Sequence, residues 1–366
     1  MGEIRVFTEE HVRDVADLNL KAIRGRKEPS GPGLQNGFRD IFLNNPWVTP
    51  DIPSLVYLEQ GKLVGFLGVI PRTMEFRGKP IRVAVTSQFM IDREMHKGSG
   101  AIELMRRCFR GGQDLSFSDG AGEGSYIVWK SLGGRTALLY SLNWSRLLRP
   151  LGTAVSLLDR TNSRPLQYSK GAARLVGSAG DFLISKLPLG ILRAPHSAYS
   201  AKLVSRAELL ECINEIGWRE PLKPIYTQTS FDWLLAQAAK ASHSGNLRLM
   251  TVYDPQGARI GWFVYYAKSS GAAYVLQIGV RRKDQFRFVL QALFQDAWEM
   301  GCHTVKGQPI PQFMTELTEQ HCIFRHPNPS VLIQTKDAEM MSIIQSGDAA
   351  ITRLDGECWL PLGSLN

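Results

Sequence analysis

The sequence has 366 residues, 44% of them hydrophobic and 21% charged, with a formal net charge of +9 at pH 7. That length allows two domains of ordinary size, each with its own core, and the composition excludes a disordered chain. The five scattered cysteines form no C-x-x-C pair and the seven histidines show no metal spacing, so neither a disulfide framework nor a metal site is indicated, and a reducing cytoplasm is the simplest compartment.

The first fifty residues read as a short strand, Ile4 to Phe7, followed by a helix opened by Thr8-Glu9-Glu10 with Val12, Val15, Leu18, Leu20 and Ile23 on its apolar side. Arg24 to Gly37 is rich in Gly, Pro and charge and reads as a loop, and Phe38 to Asn45 as a second helix stopped by Pro46. Leu63 to Ile70 and Ile81 to Ile91 are strand candidates joined through the turn signal Arg77-Gly78-Lys79, which predicts an antiparallel hairpin. The loop Met95-His96-Lys97-Gly98-Ser99-Gly100 then leads into a helix carrying Ile102, Leu104, Met105, Cys108 and Phe109 at core spacing. Glycines at the mouth of a helix let backbone approach a ligand, and the first N–H groups there have no intrahelical partner, so the loop would cradle an anion or simply make a tight turn. Asp114 to Ser118 reads as a further strand and Tyr126 to Leu132 as a short helix ending at Gly133-Gly134.

Hairpin, strand, glycine loop, helix, strand and short helix, in that order, resemble the GNAT superfamily of acyl-CoA N-acyltransferases. The resemblance implies an α/β (α+β) fold with a mixed, mostly antiparallel central sheet flanked by helices, and acetyl-CoA or another acyl-CoA as co-substrate. It also implies that Gln88, Phe89, Met90 and Ile91 pair with the pantetheine arm, while His96, Lys97, Gly98, Ser99, Gly100 and Ala101 hold the pyrophosphate. The family's usual Arg or Gln at the start of the loop falls here on Met95 or His96. Its usual tyrosine acid falls on Trp129, whose indole N–H is not appreciably acidic.

Tyr140 to Leu148 reads as the strand that closes the first domain. Residues 151–202 then form a basic connector: between Arg135 and Glu208 there are eleven Lys and Arg against three acids. No run there reaches the roughly 20 uncharged apolar residues of a membrane span. From Ser205 the pattern restarts, with helices at Arg206 to Glu215, Phe231 to Ala239 and Gln285 to Met300. Strands follow at Leu247 to Tyr253, Arg259 to Ala267, Tyr274 to Val280 and Thr304 to Lys306. The repeated order predicts a duplicated fold. The expected domains are thus 1–150, acyl-CoA-binding, and 203–366, a degenerate copy in which Arg281-Arg282-Lys283-Asp284-Gln285 replaces the glycine loop. The tail from Phe313 to Trp359 is assigned to the second domain, with Arg353-Leu354-Asp355-Gly356-Glu357 as a polar turn.

Acyl transfer to an amine needs a base, an oxyanion donor and an acid for the departing thiolate. Glu123 is the expected base and Tyr126 the expected acid, with Tyr140 as the alternative phenol. The expected activity is acyl-CoA-dependent transfer of an acyl group, acetyl first, to an amine of a small molecule or sugar. A non-catalytic acyl-CoA-binding module stays open, as does a membrane-surface role in which the basic connector meets anionic lipid. An aminoacyl-tRNA-dependent transferase is disfavoured because no RNA-binding motif stands out, and no DNA partner is expected. Oligomeric state and acceptor are not legible in the residues.

Overall fold

The computed structural model describes residues 2–92, 99–150, 195–326 and 330–365. His96, Lys97 and Gly98, and most of the expected connector, lie outside the described residues. The chain divides into two compact units, Met1–Ser141 with Arg219–Ala241 and Pro327–Asn366, and Leu142–Trp218 with Ser242–His326.

The first unit begins with β1 (Gly2–Val6), α1 (Val12–Arg24), α2 (Pro32–Phe42), β2 (Leu55–Glu59), β3 (Lys62–Phe76) and β4 (Lys79–Ile91). After these come α3 (Gly100–Phe109), β5 (Leu115–Ala121) and α4 (Glu123–Ser131). Helix α1 stops at Gly25, whose φ of 64° is the left-handed conformation glycine adopts without penalty. Pro32 supplies the first residue of α2, so the loop between them is shorter than the sequence suggested. The β3–β4 hairpin turns on Arg77 and Gly78, with φ of 49° and 79°, the two positive angles of a type I′ turn.

Strands β1 to β5 stand in chain order in the sheet, antiparallel except for the parallel β4–β5 pair. Val64 to Arg72 of β3 is buried without a break because both faces of the sheet are covered. Phe66 packs edge-on against Phe7, Phe38 and Phe42, with ring centroids 5.1 to 5.7 Å apart. Leu67 and Val69 join Leu104, Met105 and Cys108 of α3 in the opposite core.

In the second unit, strands Asn246–Tyr253, Arg259–Ala267, Ala272–Val280 and Thr304–Gly307 pair antiparallel, antiparallel and parallel, as β2 to β5 do. The expected duplication is therefore present as two mixed, mostly antiparallel sheets with helices. Its core gathers Trp144, Phe263, Tyr265, Leu293 and Phe294, and Arg248 donates to both oxygens of Asp296 at 2.9 and 2.7 Å. Tyr265 donates its hydroxyl to the same carboxylate.

The division departs from boundaries near 150 and 203. Asn143–Leu147, read as the closing strand of the first domain, pairs with Thr304–Gly307 and Ile323–Arg325 in the second sheet. In return, Ser330–Thr335 of the tail pairs antiparallel with β5, and Leu222–Pro224 with the far end of β3. An apolar strand satisfies either sheet equally well, so periodicity could not assign it. Among the described residues no helix is long and apolar enough to cross a membrane.

Replacing Asp296 with Asn leaves Arg248 without its counter-charge in a largely buried site. Loss of that pairing is expected to cost about 3 kcal/mol, read as a lower urea midpoint with an unchanged slope.

Candidate functional site

Strands β4 and β5 pair at Val83–Leu115, Ala84–Ser116 and Val85–Phe117, and beyond that no ladder joins them among the described residues. They diverge, and the gap opens into a cavity of about 890 Å³ lined by α1, the second half of β4, the start of α3, the end of β5, α4 and Glu357. Along its β4 wall the register against β3 slips, so that Gln88 and Phe89 oppose the single residue Leu67. Gln88 takes a φ of 50°, unusual for a non-glycine residue. Buried Asn19 of α1 holds that bulge, donating its Nδ2 to Gln88 Oε1 at 2.8 Å. Lys21 donates to both oxygens of Asp92 at 3.0 and 2.8 Å, tying α1 to the end of β4 where both line the cavity. At the start of α3, Ser99 does not cap the helix with its side chain, and Ala101 faces the cavity.

The floor is polar. Glu357 Oε1 accepts from Ser118 Oγ at 2.7 Å and from the Gly120 N–H at 3.0 Å. Enclosure by protein atoms, and then the nearby Asp119 charge, push the Glu357 carboxyl up to about 7, against the opposing effect of the Ser118, Ser87 and Gly120 donors. Ser87 helps without closing a bond of good geometry: its buried Oγ has no hydrogen-bond partner among the described residues. The segment that carries Glu357 is pinned on both sides. Asp355 accepts from Tyr226 and Thr352, while Trp359 donates to Gly356 O at 2.7 Å and stacks edge-on with Trp233. A carboxyl titrating near neutrality in a cleft is suited to take a proton from a bound group.

The structure brings Gln88, Phe89, Met90, Ile91 and Ala101 together on the cavity wall. Gly100 is buried as the first residue of α3, and Ser99 is exposed with its hydroxyl on Glu103. The expected catalytic residues lie elsewhere. Glu123 is exposed at the first turn of α4 and does not line the cavity. Tyr126 is 37% exposed, with Lys130 Nζ 5.7 Å above its ring, and is also outside the lining. Tyr140 is buried with its hydroxyl committed to Ala349, donating to the carbonyl at 2.6 Å and accepting from the N–H at 2.9 Å. Burial raises that phenol further still, which suits a structural role. Trp129 is core, edge-on to Phe109 at 4.8 Å. Glu357 was missed because DGE between apolar neighbours reads as a turn. The one available signal was a pair of acids, Asp355 and Glu357, set between Leu354 and Trp359.

In the second unit the position of the glycine loop is filled. Arg281 pairs with Glu215 and Arg282 with Asp284, and Phe286 opens the helix buried and stacked on Phe313 at 3.9 Å. The sequence matches no protein-family model and no curated protein. In three dimensions it is similar to a conserved Enterococcus faecalis protein of unknown function, named a probable N-acyltransferase. The TM-score is 0.58 at 13% identity, covering 92% of this chain and 73% of that one. It is also similar to GCN5-related N-acetyltransferases from Anabaena variabilis (TM-score 0.57, 11% identity, 92% and 73% covered) and Kribbella flavida (0.54, 13%, 92% and 72%). The chain has a GNAT-like fold. The likeness covers 92% of this chain and so extends over both units.

A Cβ added at Gly356 would lie 2.2 Å from Asp119 Cγ and 2.3 Å from each of its oxygens. Gly356→Ala should therefore displace the segment, at about 1 to 3 kcal/mol by urea unfolding, and lower any activity that depends on Glu357 more than it lowers stability at 25 °C.

Proposed function

We propose that the first unit is an acyl-CoA-dependent N-acyltransferase acting on the amine of a small molecule. The observation that carries the reading is the Glu357 carboxyl, raised to about 7, on the floor of the cavity where β4 and β5 part. Two further features fit the co-substrate. The unladdered edge of β4 offers main-chain groups to an extended amide-containing arm, and the start of α3 offers helix N–H groups to phosphate. The co-substrate supplies the activated thioester. Glu357 then removes the proton from the acceptor ammonium, leaving a neutral amine to attack the thioester carbon. The bulged β4 backbone supplies N–H donors where negative charge develops on the carbonyl oxygen, and as the carbon–sulfur bond breaks the nitrogen's second proton passes to the departing thiolate, leaving amide and thiol. No Tyr, His or Cys is among the described lining residues, so the thiolate leaves without a side-chain phenol. That group is a fair leaving group unprotonated.

The lack of a side-chain acid for the thiolate among the described lining residues favours a second reading, a non-catalytic acyl-CoA-binding module. The two readings separate on Glu357→Gln, which keeps the shape and removes the base. An enzyme should lose roughly 10²- to 10⁴-fold in turnover while acyl-CoA affinity by calorimetry stays within a few-fold, near one site per chain. Because the base must be ionised, wild-type turnover should rise as pH increases through about 7, and this limb should vanish in the variant. Acyl-CoA binding with no amine acylated, in wild type and variant alike, would select the binding module.

A further inference from the structure

Three consecutive residues of β5 grip Glu357. Ser118 and Gly120 hold its carboxylate, and between them Asp119, 1% exposed, accepts the Glu357 backbone N–H on Oδ1 at 2.6 Å. The other oxygen of Asp119 lies 3.4 Å from Arg353 Nη1, which also donates to the Asp119 carbonyl at 2.6 Å. Arg353 is itself buried and extends the same Nη1 toward Cys358 Sγ at 3.2 Å. Asp119 thus binds the segment on both sides of Gly356, where no side chain would fit. A carboxylate wholly inside the protein, one residue from the groups holding a second carboxylate, is not needed to fill space. An amide or a hydroxyl would close the same backbone bond without placing two acids together.

We propose that Asp119 is a positioning residue for the acyl-transfer site: it fixes the backbone of Glu357 against β5 and sets a second buried acid beside that carboxyl. The proposal rests on the reading of Glu357 as base. The charged and titratable groups around that carboxyl are Asp119 on β5 and Arg353 and Cys358 on its own segment. Lys21 and Lys27 with Asp92 line the cavity from α1, the loop after it and the end of β4, and Lys21 is already paired with Asp92. Ser87 and Ser118 face it from β4 and β5 as neutral donors. Asp355 is turned to Tyr226 and Thr352. Asp119 is therefore the acid whose removal should move Glu357 most. A weaker base that is ionised at lower pH is the expected result, since loss of a nearby like charge favours the ionised form.

Asp119→Asn keeps an oxygen for the Glu357 N–H and removes the charge. Titration of ¹³C-carboxyl-labelled glutamate by NMR, with the Glu357 signal assigned by its absence in Glu357→Gln, follows this carboxyl without needing catalysis. Its midpoint should fall by roughly one pH unit, and the low-pH limb of kcat/KM should move down with it while the KM for acyl-CoA changes little. Arg353→Gln should move the midpoint the opposite way by stripping the cation beside Asp119, and it decides the matter if Asp119→Asn does not fold. An unchanged midpoint in a folded Asp119→Asn, or a midpoint in Arg353→Gln that does not rise, overturns the proposal. Full acyl transfer by Glu357→Gln would instead overturn the reading of Glu357 as base, whatever the titration shows.

Discussion

Parallel pairing of β4 with β5 lasts for three residues and then gives way, and the first unit is arranged around that gap. A sheet continuous to its end would bury the β4 backbone in a ladder and leave no room between α1, α3 and α4. Because the strands part, the second half of β4 presents main chain to a cavity, α3 starts at its edge and β5 carries Ser118 and Gly120 to its floor with Asp119 buried between them. Each of these groups would be costly to bury unpaired. Their hydrogen bonds to one another and to Glu357 are what make an open seam in the sheet tolerable.

Bulging at Gln88 belongs to the same economy of backbone. A left-handed non-glycine residue is kept only where its surroundings insist on it, and here Asn19, itself buried, holds the side chain in place. The second unit repeats the strand order without these devices. Phe286 and the paired arginines occupy the corresponding helix start, so similar topology encloses packed side chains. One strand order thus accommodates both an open cavity and a packed helix start, depending on whether glycine and alanine or phenylalanine stand at one helix terminus.

Much of the local structure was legible in the residues. Arg77-Gly78 marked the hairpin because a two-residue turn needs two positive φ angles, and the spacing of Leu104, Met105 and Cys108 marked α3 because only a helix puts them on one core face. The cavity wall from Gln88 to Ile91 followed from the resemblance of that order of elements to a known fold. What stayed hidden was non-local. Nothing in Ser330–Thr335 or Asn143–Leu147 says which of two similar sheets it will join, and spacing along a short helix does not say which side chains of α4, Glu123 and Tyr126 among them, will line the cavity. Glu357 sits beside Ser118 although the two are 239 residues apart in the chain. Periodicity does not reach that far.

That separation has a kinetic side. The return of the tail to β5 closes a loop whose entropic cost grows as the logarithm of its length, about 5 kcal/mol for 239 residues before any constant term. Contacts of such range form late, so the hairpin and α3 are expected to assemble while β5 still has a bare edge, and the ribosome must deliver the final strand before that edge is covered. An intermediate awaiting its last strand is the species most open to pairing with another chain. For this protein the vulnerable interval of folding therefore ends with the same event that completes the cavity floor.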